Sequence, residues 1–151
     1  MATINIFSAE NLEGRVDVGS LLASADTAMY IYDLSPDQDG VPYHYEYEEE
    51  WLLVVDDSVE LRTPEGTQPL EHGDLVCFPR GPGGAHMVVN RSNSPARTLM
   101  FSSSRVPAVS VYPDSNKIGV WPGNHIDELV FRRDTAVSWF DGDDEEASID
   151  C

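Results

Sequence analysis

Between Tyr43 and Tyr47 the chain alternates with period two, so that Tyr43, Tyr45 and Tyr47 share one face of a strand and His44 and Glu46 the other. An acidic turn follows, and Glu50 stands directly before the apolar run Trp51–Val55. Beyond it, short apolar runs and turn clusters succeed one another at the spacing of an all-β sandwich or barrel. Val59–Arg62, Leu75–Phe78, Ala85–Asn90, Ala96–Phe101 and Pro107–Tyr112 read as strands. Asp56–Ser58, Pro64–Gly66, Glu71–Asp74, the Pro- and Gly-dense Pro79–Gly84 and Arg91–Pro95 read as the turns between them.

The ends of the chain follow this pattern less closely. Thr3–Phe7 and the more strongly apolar Ala28–Leu34 are strand-like, while Val18–Ala23 fits a strand or a brief helical turn equally well. Residues 1–40 are expected to complete a barrel or form a dimer contact, and 41–112 to make its core. Residues 113–140 read as an irregular extension packed on the barrel, with Ile126–Phe131 ambiguous between strand and helix. The last segment, 141–151, is an acidic run expected to be solvated and disordered.

Composition narrows the function. The 151 residues suit one domain. A net charge of −18, with only nine Lys and Arg, argues against nucleic acid and anionic membrane surfaces, which need clustered cations. No run approaches the length of a membrane span, and the first residues lack a signal-peptide pattern, so a cytoplasmic location is expected. The two cysteines, Cys77 and Cys151, make no disulfide framework or zinc ribbon, and Cys77 reads as a small buried hydrophobe.

His44 and Glu46 on one face, with Glu50 at the mouth of the next strand, can hold a metal if a distant strand adds a ligand, and His86 is the candidate. Read together, His44-x-Glu46 followed by Glu50, then Gly73 with Pro79-Arg80-Gly81, His86 and Asn90, resembles the cupin superfamily. The resemblance spans Val41–Asn90 and continues weakly to Phe101. It implies a double-stranded β-helix, or jelly-roll barrel, usually dimeric, with a divalent metal in the barrel. Carried over by position, the ligands are His44, Glu46, Glu50 and His86. Three departures stand out: Glu46 replaces the family's second His, Asp57 stands where a Gly is expected, and the loop from Gly81 to His86 is two residues longer than usual.

Two His and two carboxylates suit Zn, Fe, Mn or Ni. Glu46 has a second reading, as a pocket carboxylate that transfers protons, which leaves His44, Glu50 and His86 as a three-ligand site with open positions. The resemblance implies a small-molecule substrate or ligand in the barrel and a homodimer, with isomerase- or dioxygenase-type chemistry. The alternative is a non-catalytic small-molecule or metal-binding module. The acidic balance disfavours a highly phosphorylated substrate unless Arg80 or Arg62 supplies a local positive patch. His72 and His125 read as loop residues, Tyr43, Tyr45 and Tyr47 as the outer face of a sheet, and Ser102–Ser104 as a strand end. No catalytic residue is assigned at this level.

Overall fold

The computed structural model of the protein describes residues 2–7 and 14–142. The acidic segment from 143 onward, and with it Cys151, lies outside them. Twelve strands are formed among the described residues. They are β1 (Arg15–Asp17), β2 (Thr27–Leu34), β3 (Tyr45–Glu46), β4 (Glu50–Asp56), β5 (Ser58–Thr63), β6 (Gly66–Glu71), β7 (Leu75–Phe78), β8 (Met87–Val89), β9 (Ala96–Ser103), β10 (Ala108–Tyr112), β11 (Lys117–Trp121) and β12 (Leu129–Arg132). One sheet runs β1-β2-β9-β4-β7, a second β12-β11-β10-β3 and a third β6-β5-β8. All pairings within these sheets are antiparallel.

The second and third sheets are tied together by the segment leading into β3. Asp39 bridges Val89, and His44 bridges His86, the two histidines exchanging backbone hydrogen bonds of 3.1 and 2.8 Å. This joined layer faces the five-stranded sheet across the barrel interior. Leu34, Leu52, Val54, Val59, Leu61, Phe78 and Val88 fill one half of that interior. Burying each is worth roughly 1.5–3 kcal/mol. The other half is a cavity walled by aromatic side chains together with His44, Glu46, Glu50 and His86.

Alternation along the five-stranded sheet separates its two faces. Ile31, Val55 and Leu99 point outward, where Val18 and the N-terminal Ile4 and Ile6 cover them. The single short helix α1 (Val18–Leu21) supplies Val18, and Asp17 caps it by accepting from the Ser20 backbone N–H. Val18–Ala23 thus resolves to a helical turn. Residues 3–7 form no strand; they lie as a cover over the sheet, anchored where Arg97 donates to the Ile6 carbonyl while pairing with Asp33.

Other expectations shift in detail. β6 carries Thr67, Gln68 and Pro69, all exposed, so its polar edge position hid it from a hydrophobicity pattern. Asp57 adopts φ 57°, the left-handed conformation that its turn requires in place of Gly. Cys77 is exposed rather than buried, because β7 is a sheet edge and Val76 and Phe78 point the other way. The extension after Tyr112 is more regular than its composition suggests, since β11 and β12 continue the second sheet. Every residue of β12 is exposed, and so are Ile126 at 92% and Trp139 at 89%.

Candidate functional site

The bridge between His44 and His86 is what builds the site. Each imidazole is oriented by its own chain: His44 Nδ1–H donates to the Pro42 carbonyl and His86 Nδ1–H to the Gly84 carbonyl, both at 2.9 Å. A carbonyl only accepts, so the proton must sit on Nδ1 and the Nε2 lone pair is left to face the cavity. Ring stacking locks the orientation. Phe78 lies 3.7 Å from His86 at 7°, and Tyr112 lies 5.8 Å from His44 at 27°.

Glu50 reaches the same point from the opposite sheet. As the first residue of β4 it pairs with Phe78 and Ser102, and its Oε2 lies 3.9 Å from His44 Nε2 and 3.8 Å from His86 Nε2. One ligand atom from each of His44, Glu50 and His86 falls within 4.8 Å of the others. Among the described residues, His86 Nε2 is the buried side-chain nitrogen left without a hydrogen-bond partner. Such an orphan is costly unless something else satisfies it.

The electrostatics of the cluster suit a cation. Burial, then the nearby Glu46 carboxylate, pushes Glu50 up to about 8. Burial, then the His44 imidazole, lowers His86 to about 4. Burial lowers His44 as well, against the opposing pull of Glu46 and the Pro42 carbonyl. Without a cation the three groups are therefore driven to their neutral forms, which is the cheapest state for ionisable groups buried together. Two imidazole lone pairs and one carboxyl converging in this way fit a divalent metal of the Zn, Fe, Mn or Ni kind.

Glu46 shares the cavity wall but is not a member of this cluster. Its partner in register is Ser110 of β10, whose hydroxyl donates to Glu46 Oε1 at 2.6 Å. Trp121 Nε1–H donates in turn to that hydroxyl at 2.8 Å. The carboxylate is thereby fixed in orientation beside the cluster, with its second oxygen unclaimed by Ser110.

The cavity has a volume of about 920 Å³ and is bounded by Arg15, Tyr30, Tyr32 and Met100 on one side and Tyr112 and Trp121 on the other. Period-two alternation explains the first group, since Tyr30 and Tyr32 point inward from β2 while Ile31 points out. Ser102–Ser104 also line it, and Ser103 donates to Glu48. His125 stands on its rim, exposed and hydrogen-bonded to Glu128, and His72 caps the Val55 carbonyl far from the cluster. The two arginines considered as a positive patch are engaged elsewhere: Arg62 forks onto Asp114 and stacks on Tyr43, and Arg80 lies 3.6 Å from Glu48. Arg15, Ser110 and Trp121 drew no attention in the sequence, because only the folded register sets them beside Glu46 and Glu50.

No family model matches the sequence, and no curated protein does. Solved structures do. A sugar phosphate isomerase of the cupin superfamily from Silicibacter pomeroyi superposes with a TM-score of 0.73 at 23% identity, over 86% of this chain and 83% of that one. A candidate sugar phosphate isomerase from Acidithiobacillus ferrooxidans gives 0.76 at 16% identity, over 90% and 95%. A polyketide cyclase from Streptomyces resistomycificus gives 0.57 at 19%, over 72% and 83%. Identities this low speak to architecture alone. With its strand order, its joined second and third sheets and these neighbours, the chain has the cupin fold, a double-stranded β-helix barrel.

Proposed function

We propose that the protein holds a divalent metal ion on His44, Glu50 and His86 and acts on a small molecule in the adjoining cavity. The orphaned Nε2 of His86 carries this reading, since a metal is the partner its surroundings are built to accept. Such an ion, when bound, polarises a carbonyl or hydroxyl oxygen. Three protein ligands leave coordination positions open to a substrate.

Glu46 is then the proton-transfer group. Ser110 and Trp121 hold its carboxylate in one orientation next to the bound molecule, which is what a general base requires. Isomerase-type proton transfer uses that arrangement directly. Two of the structural neighbours bear the name of sugar phosphate isomerase, in keeping with this choice.

The test is metal content of the untagged protein beside His86→Ala and Glu46→Gln. Near-stoichiometric metal is expected in the wild type and in Glu46→Gln, and loss in His86→Ala. Metal loss in Glu46→Gln would return Glu46 to the ligand set. A wild type that takes up none of Zn, Fe, Mn or Ni on reconstitution would sink the metal reading.

We also propose a homodimer formed through β12. This strand ends its sheet and exposes Leu129, Val130 and Phe131 on both faces, with Trp139 and Phe140 nearby in sequence. An apolar edge strand with unpaired backbone groups calls for a partner, and identical antiparallel edges pair about a two-fold axis. Light scattering on the full chain should give a dimer at micromolar concentration and a monomer for Phe131→Asp. A monomeric wild type rules the dimer out. No helix among the described residues is long and apolar enough to cross a membrane.

A further inference from the structure

We infer that Arg15 is the anion-recognition residue of the cavity, and that the ligand is a small organic molecule carrying one oxyanion group, a phosphate monoester or a carboxylate. The inference rests on the cavity's being the substrate site and names what that site selects.

Arg15 enters the cavity from β1, the edge strand of the five-stranded sheet, where its register partner is Tyr32. Its guanidinium lies 4.1 Å over the Tyr30 ring and beside the Tyr32 phenol. Stacking on an aromatic face holds a guanidinium in plane, and the hydrogen bond to Tyr32 uses only part of its five-donor fork, whose remaining N–H groups match the two oxygens of a phosphate or carboxylate. Burial keeps the Tyr32 phenol above its ordinary range despite the neighbouring Arg15, so it remains a hydrogen-bond donor beside the same position.

The other arginines near the cavity have a carboxylate beside them. Arg105 and Arg80 share Glu48, at 3.9 and 3.6 Å. Among the described residues no carboxylate forms a salt bridge with Arg15, and the adjacent Asp17 is engaged in capping α1. An exposed arginine on the cavity wall that has no salt-bridge partner among the described residues, in a chain of net charge −18, is a selective feature. It also limits the ligand to one anionic group, because Glu46, Glu48 and Glu128 line the remaining wall and repel a second. Tyr112 lies within the field of both Arg15 and Glu50, so a molecule held at the guanidinium can extend toward the histidine cluster.

The experiment is calorimetric titration of the metal-reconstituted protein with glycerol 3-phosphate, glycerate and glycerol, for wild type, Arg15→Ala and Arg15→Lys. At least one of the two anions should bind while glycerol does not. Arg15→Ala should weaken that binding by about tenfold or more, with Arg15→Lys recovering part of it. The metal content and melting temperature of Arg15→Ala should match the wild type, which separates lost recognition from lost fold. Equal anion affinity in Arg15→Ala overturns the inference, as does glycerol binding as tightly as the anions, or neither anion binding to wild type. A protein that takes up no metal would defeat the proposed function instead, and the same titrations on the metal-free chain would still decide the role of Arg15.

Discussion

Glu50→Gln is expected to abolish metal binding and, in the metal-free protein, to raise stability at pH 8 by on the order of 4 kcal/mol. Both effects have one cause. Glu50 is partly buried beside two imidazoles and near Glu46, and its carboxyl is pushed up from 4.5 to about 8. A folded-state value above the unfolded one means that its favourable contribution is complete below pH 4.5 and is lost as pH rises through 8. His86 works in the opposite sense. Its folded value of about 4 lies below the ordinary 6.5, so its contribution is complete above 6.5 and is lost as pH falls through 4. Between 4.5 and 6.5 the His86 slope, joined by that of the likewise lowered His44, opposes that of Glu50, and above 6.5 Glu50 alone of the three governs.

Metal-stripped wild type should therefore lose stability from pH 6.5 to 8, and Glu50→Gln should not. Urea denaturation at the two pH values, with metal removed by chelator, reads the difference. A variant that declines as the wild type does would show that Glu50 is not the group responsible. Retention of metal by Glu50→Gln would remove it from the ligand set. The trade of apo stability for a binding site is an ordinary consequence of partly burying a charge-bearing ligand.

Gly84→Ala is expected to damage the site through the backbone. A Cβ at Gly84 would lie 1.8 Å from the Pro79 carbonyl oxygen and 2.9 Å from its carbon, distances that no side-chain adjustment relieves. The Pro79–Gly84 loop would have to move, and the Gly84 carbonyl that orients His86 would move with it. Overpacking of this kind costs about 3 kcal/mol or more, and loss of an outer hydrogen bond to a ligating histidine lowers metal affinity roughly 10- to 100-fold. Gly83→Ala, where a Cβ meets nothing within 4 Å, is the matched control. Thermal melts and metal titrations on both variants decide the matter. Wild-type metal affinity in a destabilised Gly84→Ala would detach His86 from the loop.

How much of this was written in the chain differs from element to element. Trp51–Val55, Val59–Arg62, Leu75–Phe78 and Ala96–Phe101 all became strands, because each buries one face and local alternation is enough to say so. β6 and β11 were not anticipated, since one is polar and exposed and the other is held mainly by its neighbours in the ladder. The placement of His44 and Glu46 on one face was a period-two property and needed no tertiary information. His86 was a candidate partner for His44 by residue type and by resemblance, and only the antiparallel bridge at 44 and 86 makes the pairing physical.

The sequence by itself determined the β architecture, the inward face that carries His44 and Glu46, and the acidic character of the surface, since these follow from local alternation and from counting charges. Only the tertiary structure decided what each carboxylate meets, because Glu46 and Glu50 differ in what lies across the sheet from them. Ser110 claims the first, while the second meets two imidazoles held by the Pro42 and Gly84 carbonyls. It also decided that Arg15, from an edge strand 29 residues before His44 and 35 before Glu50, shares their cavity. Strand pairing brings such residues together over distances that no local pattern in the chain encodes.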